Sequence, residues 1–492
     1  MNDTGHYAVI ILFASAVGLV ALMANRLTER VKVPVPFLVL AGAALASRLV
    51  PSMPIPPEPT VERIITIALV VVLFDGGMHI GWSRFRESAA PILALGIVGT
   101  FLTTAGAAIV LHAGFGIDWY LAVLVATAVA PTDPAVVFSV LGKREVAGRS
   151  GTILEGESGA NDPVGIALMS SLLAAGGLTA AGFATVGAEF LRQMLIGGAI
   201  GILGGRITVT FIRRVSLPSE GLYPLRTLAV SLMLYGLTTL AHGSGFLAVF
   251  IAGIVVGDAR APYKPEIARF HGALAGLAEI VAFAVLGLTV DLRIITQADV
   301  WVPGLVLGVA IMLVVRPLAV GACLVPARLR TNERIFIMIA GLKGLVPILL
   351  GEFLRAAQVP QAERLYGIVV VVVAFSVLVQ GSSLPAFARM LHLPMRTHTP
   401  EPWALSVRLR DEPSGVHRLT VASGSTADGS TVEELGSPVA GIWVSIVVRG
   451  RRLVPVRADT RLRAGDEVVV LADPDTGQAL GAMFGPPGDT KR

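Results

Sequence analysis

Two short stretches of this sequence hold carboxylates whose neighbours suit them to binding small cations. In Ala130-Pro131-Thr132-Asp133-Pro134, proline stands on both sides of a Thr-Asp pair inside an apolar run. Proline removes a helical hydrogen bond and frees a carbonyl, so a helix through this run must break. The freed carbonyls, the Thr132 hydroxyl and the Asp133 carboxylate are hard oxygen ligands suited to an alkali cation. The second stretch is LEGESGANDPVGIAL, residues 154–168. Ser158 and Asp162 are four apart and share one helical stripe, with Glu157 and Asn161 on the neighbouring stripe. One face can then meet an ion while the next engages another helix. Asp162 is the strongest ion-ligand candidate, with the Ser158 hydroxyl beside it.

These groups must be held at membrane depth. The chain has 492 residues, of which 54% are hydrophobic and only 15% charged, and its mean hydropathy is +0.74. Soluble domains carry about 25% charged residues, so a large soluble enzyme is excluded and a polytopic membrane protein expected. Apolar runs long enough to cross a bilayer fall near 7–25, 34–50, 61–80, 90–112, 118–141, 152–175, 182–212, 224–241, 244–258, 270–290, 300–325, 333–354 and 365–388. Loop charges test this division. Alternate loops hold Arg26, Arg30 and Lys32; Arg84 and Arg86; Lys143, Arg144 and Arg149; Arg213, Arg214 and Arg226; Arg260, Lys264 and Arg269; Arg328, Arg330 and Arg334. The intervening loops hold only Arg48, Arg63, Arg293, Arg355 and Arg364. The positive-inside rule then places the N-terminus outside and the C-terminus in the cytoplasm.

A charge at the bilayer centre costs about 3 kcal/mol or more, so each one needs a reason. Gly341-Leu342-Lys343-Gly344-Leu345-Val346-Pro347 breaks the twelfth span as the first motif breaks the fifth. Two broken spans in corresponding positions point to inverted repeats around a midplane site. Lys343 brings a positive charge there, with Glu157 as its expected partner in an ion pair that neutralises both. Glu279 and Arg316 are expected to form a structural pair. Asp75, in LFDGG, either joins the ion site or makes a structural polar contact. Gly197, Gly201 and Gly205 repeat every four residues, the spacing of close helix packing.

Other chemistries find no support. The net charge of +5 is explained by the basic loops, and no basic run with interleaved aromatics suggests nucleic acid. The single cysteine, Cys323, forms no intrachain disulfide, and the eight His residues make no HExxH-type motif. No cofactor is implied. A cation channel gated by the C-terminal domain is the alternative to a transporter, but no TVGYG-like filter occurs. After about residue 391 the composition becomes that of a soluble domain. Residues 392–402 read as a linker, and 403–482 as a small α+β domain. Its hairpin is expected in WVSIVVRGRRLVPV, a short capped helix at 430–435 and a final strand in DEVVVLAD, with a disordered tail at 483–492.

Together, APTDP on a broken span, GESGANDP on the next and GLKGLVP late in the chain resemble the monovalent cation:proton antiporter-1 family, in its Asn-Asp branch. The resemblance covers about residues 7–391. It implies an all-α membrane fold of about thirteen helices, with inverted repeats and two broken crossing helices. It also implies electroneutral exchange of potassium or sodium for protons by alternating access in the cell membrane, and homodimers. Asp162 would be the principal cation- and proton-binding carboxylate, with Asp133, Thr132 and Ser158 completing the site, Asn161 the motif asparagine and Asp75 the acidic residue of the third span. Glu157 matches a glutamate that pairs with a basic residue of the late broken span, here Lys343 where relatives carry Arg. The C-terminal stretch resembles the RCK-C or TrkA-C domain of potassium-conductance regulators, which implies a small-molecule regulator such as a nucleotide.

Overall fold

The computed structural model describes residues 35–49, 56–134, 136–137, 144–146, 149–259, 261–327, 329–393, 395–397, 416–436, 442–450, 452–472 and 477–486. The expected first span, 7–25, lies outside them. The chain divides into two compact units, Met1–Pro400 and Glu401–Arg492.

The first unit is helical: α1 Val35–Leu49, α2 Glu58–Ile80, α3 Trp82–Phe115, α4 Trp119–Val129, α5 Arg149–Ala175, α6 Ala180–Arg214, α7 Leu222–Leu240, α8 Gly245–Gly257, α9 Lys264–Thr289, α10 Ala298–Leu324, α11 Thr331–Ile339, α12 Leu345–Ala356 and α13 Ala362–Met390. Each expected span from 34–50 onward coincides with one of these helices or, at the two motif breaks, with a helix interrupted there. Among the described residues, six helices are long and apolar enough to cross a membrane without interruption. The others are shorter, carry more charge or are broken.

The helices sort into two bundles. α1, α2, α6, α7, α8 and α9 pack mainly on one another, and α3, α4, α5, α10, α11, α12 and α13 form the second bundle. Each bundle draws helices from both halves of the chain, as an interleaved inverted repeat requires. Within the first, the glycine ladder on α6 does what its spacing predicts. Cβ atoms on Gly197, Gly201 and Gly205 would collide with Ser244, Ala248 and Val255 of the 244–257 segment, so the two helices meet backbone to backbone.

The second bundle holds both breaks. α4 stops at Val129, and residues 131–133 run without helix before Pro134. α11 stops at Ile339, and residues 340–344 run without helix before α12. Three helices here also contain a wide π turn, at Ala94–Gly99, Ile311–Val315 and Ser376–Gly381. The last turns Ser376 and Gln380 toward the second break. Two short strands close the unit, β1 Arg144–Val146 and β2 Met395–Thr397, paired antiparallel. The stretch assigned to a linker thus contains a strand.

The second unit has a four-stranded antiparallel sheet of β3 Val416–Thr420, β4 Trp443–Arg449, β5 Arg452–Val454 and β6 Glu467–Leu471, in the order β3-β6-β4-β5. The β4–β5 hairpin turns at Gly450, whose φ of 60° is open to glycine. Helix α14, Val432–Gly436, starts with a capping box. The Glu434 amide donates to Thr431 Oγ1, and the Thr431 amide to Glu434 Oε2. Helix α15, Gly477–Phe484, buries Leu480, Met483 and Phe484 in the unit's core. The disordered tail therefore cannot begin at 483: Phe484 is fully buried, and its carbonyl accepts from the Ala422 amide.

Candidate ion-binding site

The two breaks meet. The Asp133 amide donates to Leu342 O at 2.8 Å, and the Leu345 amide, opening α12, lies 3.5 Å from Asp133 Oδ2. A helix N-terminus directed at a carboxylate stabilises its charge. The approach is so close that a Cβ on Gly344 would sit 1.9 Å from Asp133 Oδ2, so only glycine fits there.

α5 passes beside the first break and fixes it with side chains of the GESGAND motif. Asn161 Nδ2 donates to Thr132 Oγ1 at 2.8 Å, and Asn161 Oδ1 accepts from the Thr132 amide at 3.3 Å. The Ser158 hydroxyl donates to Thr132 O. Ser158, Asn161 and Thr132 are all buried. Asp162 sits one position beyond, 9% exposed. Among the described residues its carboxylate makes no hydrogen bond or ion pair. The Asp133 carboxylate and the Lys343 ammonium are the charges that act on Asp162.

Lys343 does not pair with Glu157. Its Nζ donates to Ala130 O at 2.9 Å and Pro131 O at 3.2 Å. The reason lies in the motif: Pro134 has no N–H to give to Ala130 O, four residues back, so that carbonyl is left for the ammonium. The carbonyls expected to face a cation thus already accept hydrogen bonds from side chains. Two accept from Lys343 and the Thr132 carbonyl accepts from Ser158. The Lys343 amide in turn donates to Ser376 Oγ at 3.0 Å, and Gln380 Nε2 to Ile339 O at 2.6 Å, tying the second break to the π turn of α13.

Glu157 pairs instead with Arg316 of α10. Nη1 lies 2.8 Å from Oε1 and Nη2 3.1 Å from Oε2, a two-pronged contact with both side chains 3% exposed. Arg316 Nη2 also reaches Ile337 O at 3.3 Å, and a Cβ on Gly341 would collide with its guanidinium. The planar fork of arginine matches a carboxylate in a way a lysine ammonium cannot. The expected Glu279–Arg316 pair is likewise absent, because Glu157 has taken the arginine. Glu279 lies on α9 of the first bundle and has no Lys, Arg or His partner among the described residues. Sequence reasoning missed this; the available signal was an unpaired acid in an apolar span.

Asp75 lies on α2, in the first bundle, outside the hydrogen-bonded cluster of the two breaks. His79 Nδ1 lies 3.3 Å from Asp75 Oδ2, and Asp75 Oδ1 is inaccessible and has no hydrogen-bond partner. No group of three or more His, Cys, Asp or Glu suited to a resident metal ion occurs among the described residues.

Comparison with known proteins places this geometry. Residues 15–390 match the family described as sodium/hydrogen exchanger, transmembrane, and residues 416–485 match the TrkA-C domain. A K(+)/H(+) antiporter NhaP of Alkalimonas amylolytica is 32% identical over 467 residues, covering 94% of this chain and 80% of its own length. A K(+)/H(+) antiporter NhaP2 of Shewanella oneidensis is 30% identical over 480 residues, with 94% and 81% covered. The solved structure of the sodium proton antiporter MjNhaP1 from Methanocaldococcus jannaschii superposes with a TM-score of 0.66 at 20% identity, covering 78% of this chain and 98% of that one. That likeness is one of fold.

Proposed function

The chain belongs to the sodium/hydrogen exchanger family and is a membrane cation/proton antiporter, and from that premise we propose that Asp162, with Asp133, binds one potassium ion or one proton in alternation. The supporting observation is Asp162 itself: a buried carboxylate with no donor from the described residues, under the charge of a second carboxylate. A desolvated carboxylate needs a proton or a cation to offset its charge. Because the two compete for the same oxygens, their fluxes are coupled.

Charge counting over the two breaks and the Glu157–Arg316 pair supports a one-for-one stoichiometry. Glu157 and Arg316 cancel. Asp133, Asp162 and the Lys343 ammonium sum to one negative charge, which one monovalent cation or one proton neutralises. Exchange is then electroneutral. Thr132, Ser158 and Asn161 shape the site by holding the break rather than by touching the cargo. Potassium is the proposed cargo because relatives that match over most of this chain are named K(+)/H(+) antiporters. Sodium is the second reading, supported by the sodium proton antiporter of the same fold.

The basic loops support a cytoplasmic C-terminus. The TrkA-C unit is proposed to act there as a regulatory module with a small-molecule ligand, a nucleotide being the candidate. The apolar exposed side of α6, with Phe183, Leu191, Leu195 and Leu203, is proposed to face lipid or a second copy in a homodimer. The test is proteoliposome exchange with potassium, sodium and lithium in turn at several pH values. Competition predicts that the KM for the cargo rises as pH falls while the maximal rate holds. A maximal rate that falls at constant KM would sink the shared site.

A further inference from the structure

On the face that carries the less basic loops, a group of polar side chains joins one bundle to the other. Thr289, the last residue of α9, donates its hydroxyl to Glu352 of α12, and the same oxygen lies 3.0 Å from the Tyr366 hydroxyl of α13. Arg355, one turn beyond Glu352, donates through Nη1 to both oxygens of that carboxylate, at 3.1 and 2.9 Å. Its Nη2 lies 3.7 Å from Oε1 of Glu58, at the start of α2, and its Nε donates to Glu363 Oε1 of α13 at 2.9 Å. α2 and α9 belong to the first bundle, α12 and α13 to the second. Glu352 and Tyr366 are buried, so the contact keeps solvent from entering between the bundles at this point.

The groups that bridge the bundles each keep another partner when the bundles part. The Thr289 hydroxyl also lies 2.8 Å from Leu286 O, one turn back on its own helix, and donates there once Glu352 withdraws. Glu352 keeps Arg355, and Arg355 keeps Glu352 and Glu363, all within the second bundle. Glu58 is half exposed and returns to water. An unpaired buried polar group is costly; here the crossing bonds are exchanged for internal ones, so the contact can open and close reversibly.

α12 connects this contact to the ion site. The helix begins at Leu345, whose amide is directed at Asp133 Oδ2, and Glu352 stands seven residues on, about 10 Å along the axis. Asp133, Asp162 and Lys343 all belong to the second bundle, so turning them to one face and then the other moves that bundle against the first. We propose that Thr289 and Glu58, with Glu352 and Arg355, form a releasable latch that shuts the ion site from the face opposite the basic loops. This rests on the antiport site proposed above. Closed, the latch favours the state in which the site is turned to the basic-loop face. Weakening it shifts the population toward the latched face without altering any cargo ligand.

The test is potassium/proton exchange by the full-length protein in right-side-out and in inside-out membrane vesicles, which reads the KM for potassium at each face separately. Thr289→Val keeps the shape of the side chain and removes only the hydroxyl. It is expected to lower the KM at the latched face about threefold and to raise that at the basic-loop face by no more than about twofold. Glu58→Gln should move both values in the same directions, more weakly. Thr289→Ser, which keeps the hydroxyl, should behave as the native protein. Asp299→Asn removes an ion pair with Arg364 that lies wholly within the second bundle, and should change neither KM. A Thr289→Val variant whose two KM values keep their native ratio overturns the proposal, as does a Thr289→Ser variant as altered as Thr289→Val. Asp162→Asn separates the two readings. If it still exchanges, the antiport site itself has failed; if it is silent and Thr289→Val keeps the native ratio, only the latch has.

Discussion

Replacing Arg316 with methionine should be far more damaging than replacing Lys343, although sequence alone favours Lys343 as the partner of Glu157. At the observed 2.8 Å and an effective dielectric of about 20, the Coulomb attraction is roughly 6 kcal/mol. Desolvation of two ions offsets part of it, but deleting only Arg316 leaves Glu157 charged and buried, at a cost of about 3–5 kcal/mol. The loss also releases Ile337 O, which Arg316 supports beside the second break. The double variant Glu157→Gln/Arg316→Met removes both charges and should recover most of that loss. The assay is a double-mutant cycle on unfolding of the purified protein, run in parallel for Glu157 with Lys343. We expect a coupling of about 2 kcal/mol or more for Glu157–Arg316 and a clearly smaller value for Glu157–Lys343. Equal couplings, or a double variant as unstable as the sum of its singles, would refute the assignment.

Two further outcomes follow from local geometry. Gly344→Ala places a Cβ 1.9 Å from Asp133 Oδ2, so it should lower exchange at least tenfold, whereas Gly236→Ala, which meets nothing within 4 Å, should exchange normally in the same vesicles. In the C-terminal unit, burial would raise the Asp466 carboxyl, but the two Arg449 hydrogen bonds at 2.9 and 2.8 Å, the Arg463 amide and both guanidinium charges outweigh it and hold it below the usual range. A depressed carboxyl contributes stability that is complete above its unfolded value of about 3.9 and is lost as pH falls through the folded value. Amide exchange of Val468–Val470 in the full-length protein should therefore accelerate below about pH 4, and less steeply in Asp466→Asn; identical pH profiles would contradict this.

Much of this architecture is readable from residue types. The proline pairs and glycines around Asp133 and Lys343 mark backbone that cannot continue as helix, and both breaks occur where they stand. Among the described residues, helices lie where hydropathy places apolar runs, because bilayer thickness sets helix length. Pairing was harder to read. Spacing along the chain carries no information about which distant helix presents a basic side chain to Glu157. Choosing Lys343 overlooked that Ala130 O, orphaned by Pro134, needed a donor of its own. Arg316 then had no reason to seek Glu279, and that acid was left without the arginine. In the small unit, Met483 and Phe484 read as the start of a tail because their burial depends on a core assembled from β3, β4 and β6, which no local pattern reveals.

Cation-driven proton movement by Asp162→Asn tests the central claim most directly. In vesicles loaded at one pH and diluted into potassium, the native protein should move protons at a rate that depends on the cation gradient. Asparagine has nearly the shape of aspartate but neither holds a charge nor accepts a proton there, so the variant should fold and show no coupled flux. Exchange that persists at the native rate in Asp162→Asn would contradict the account.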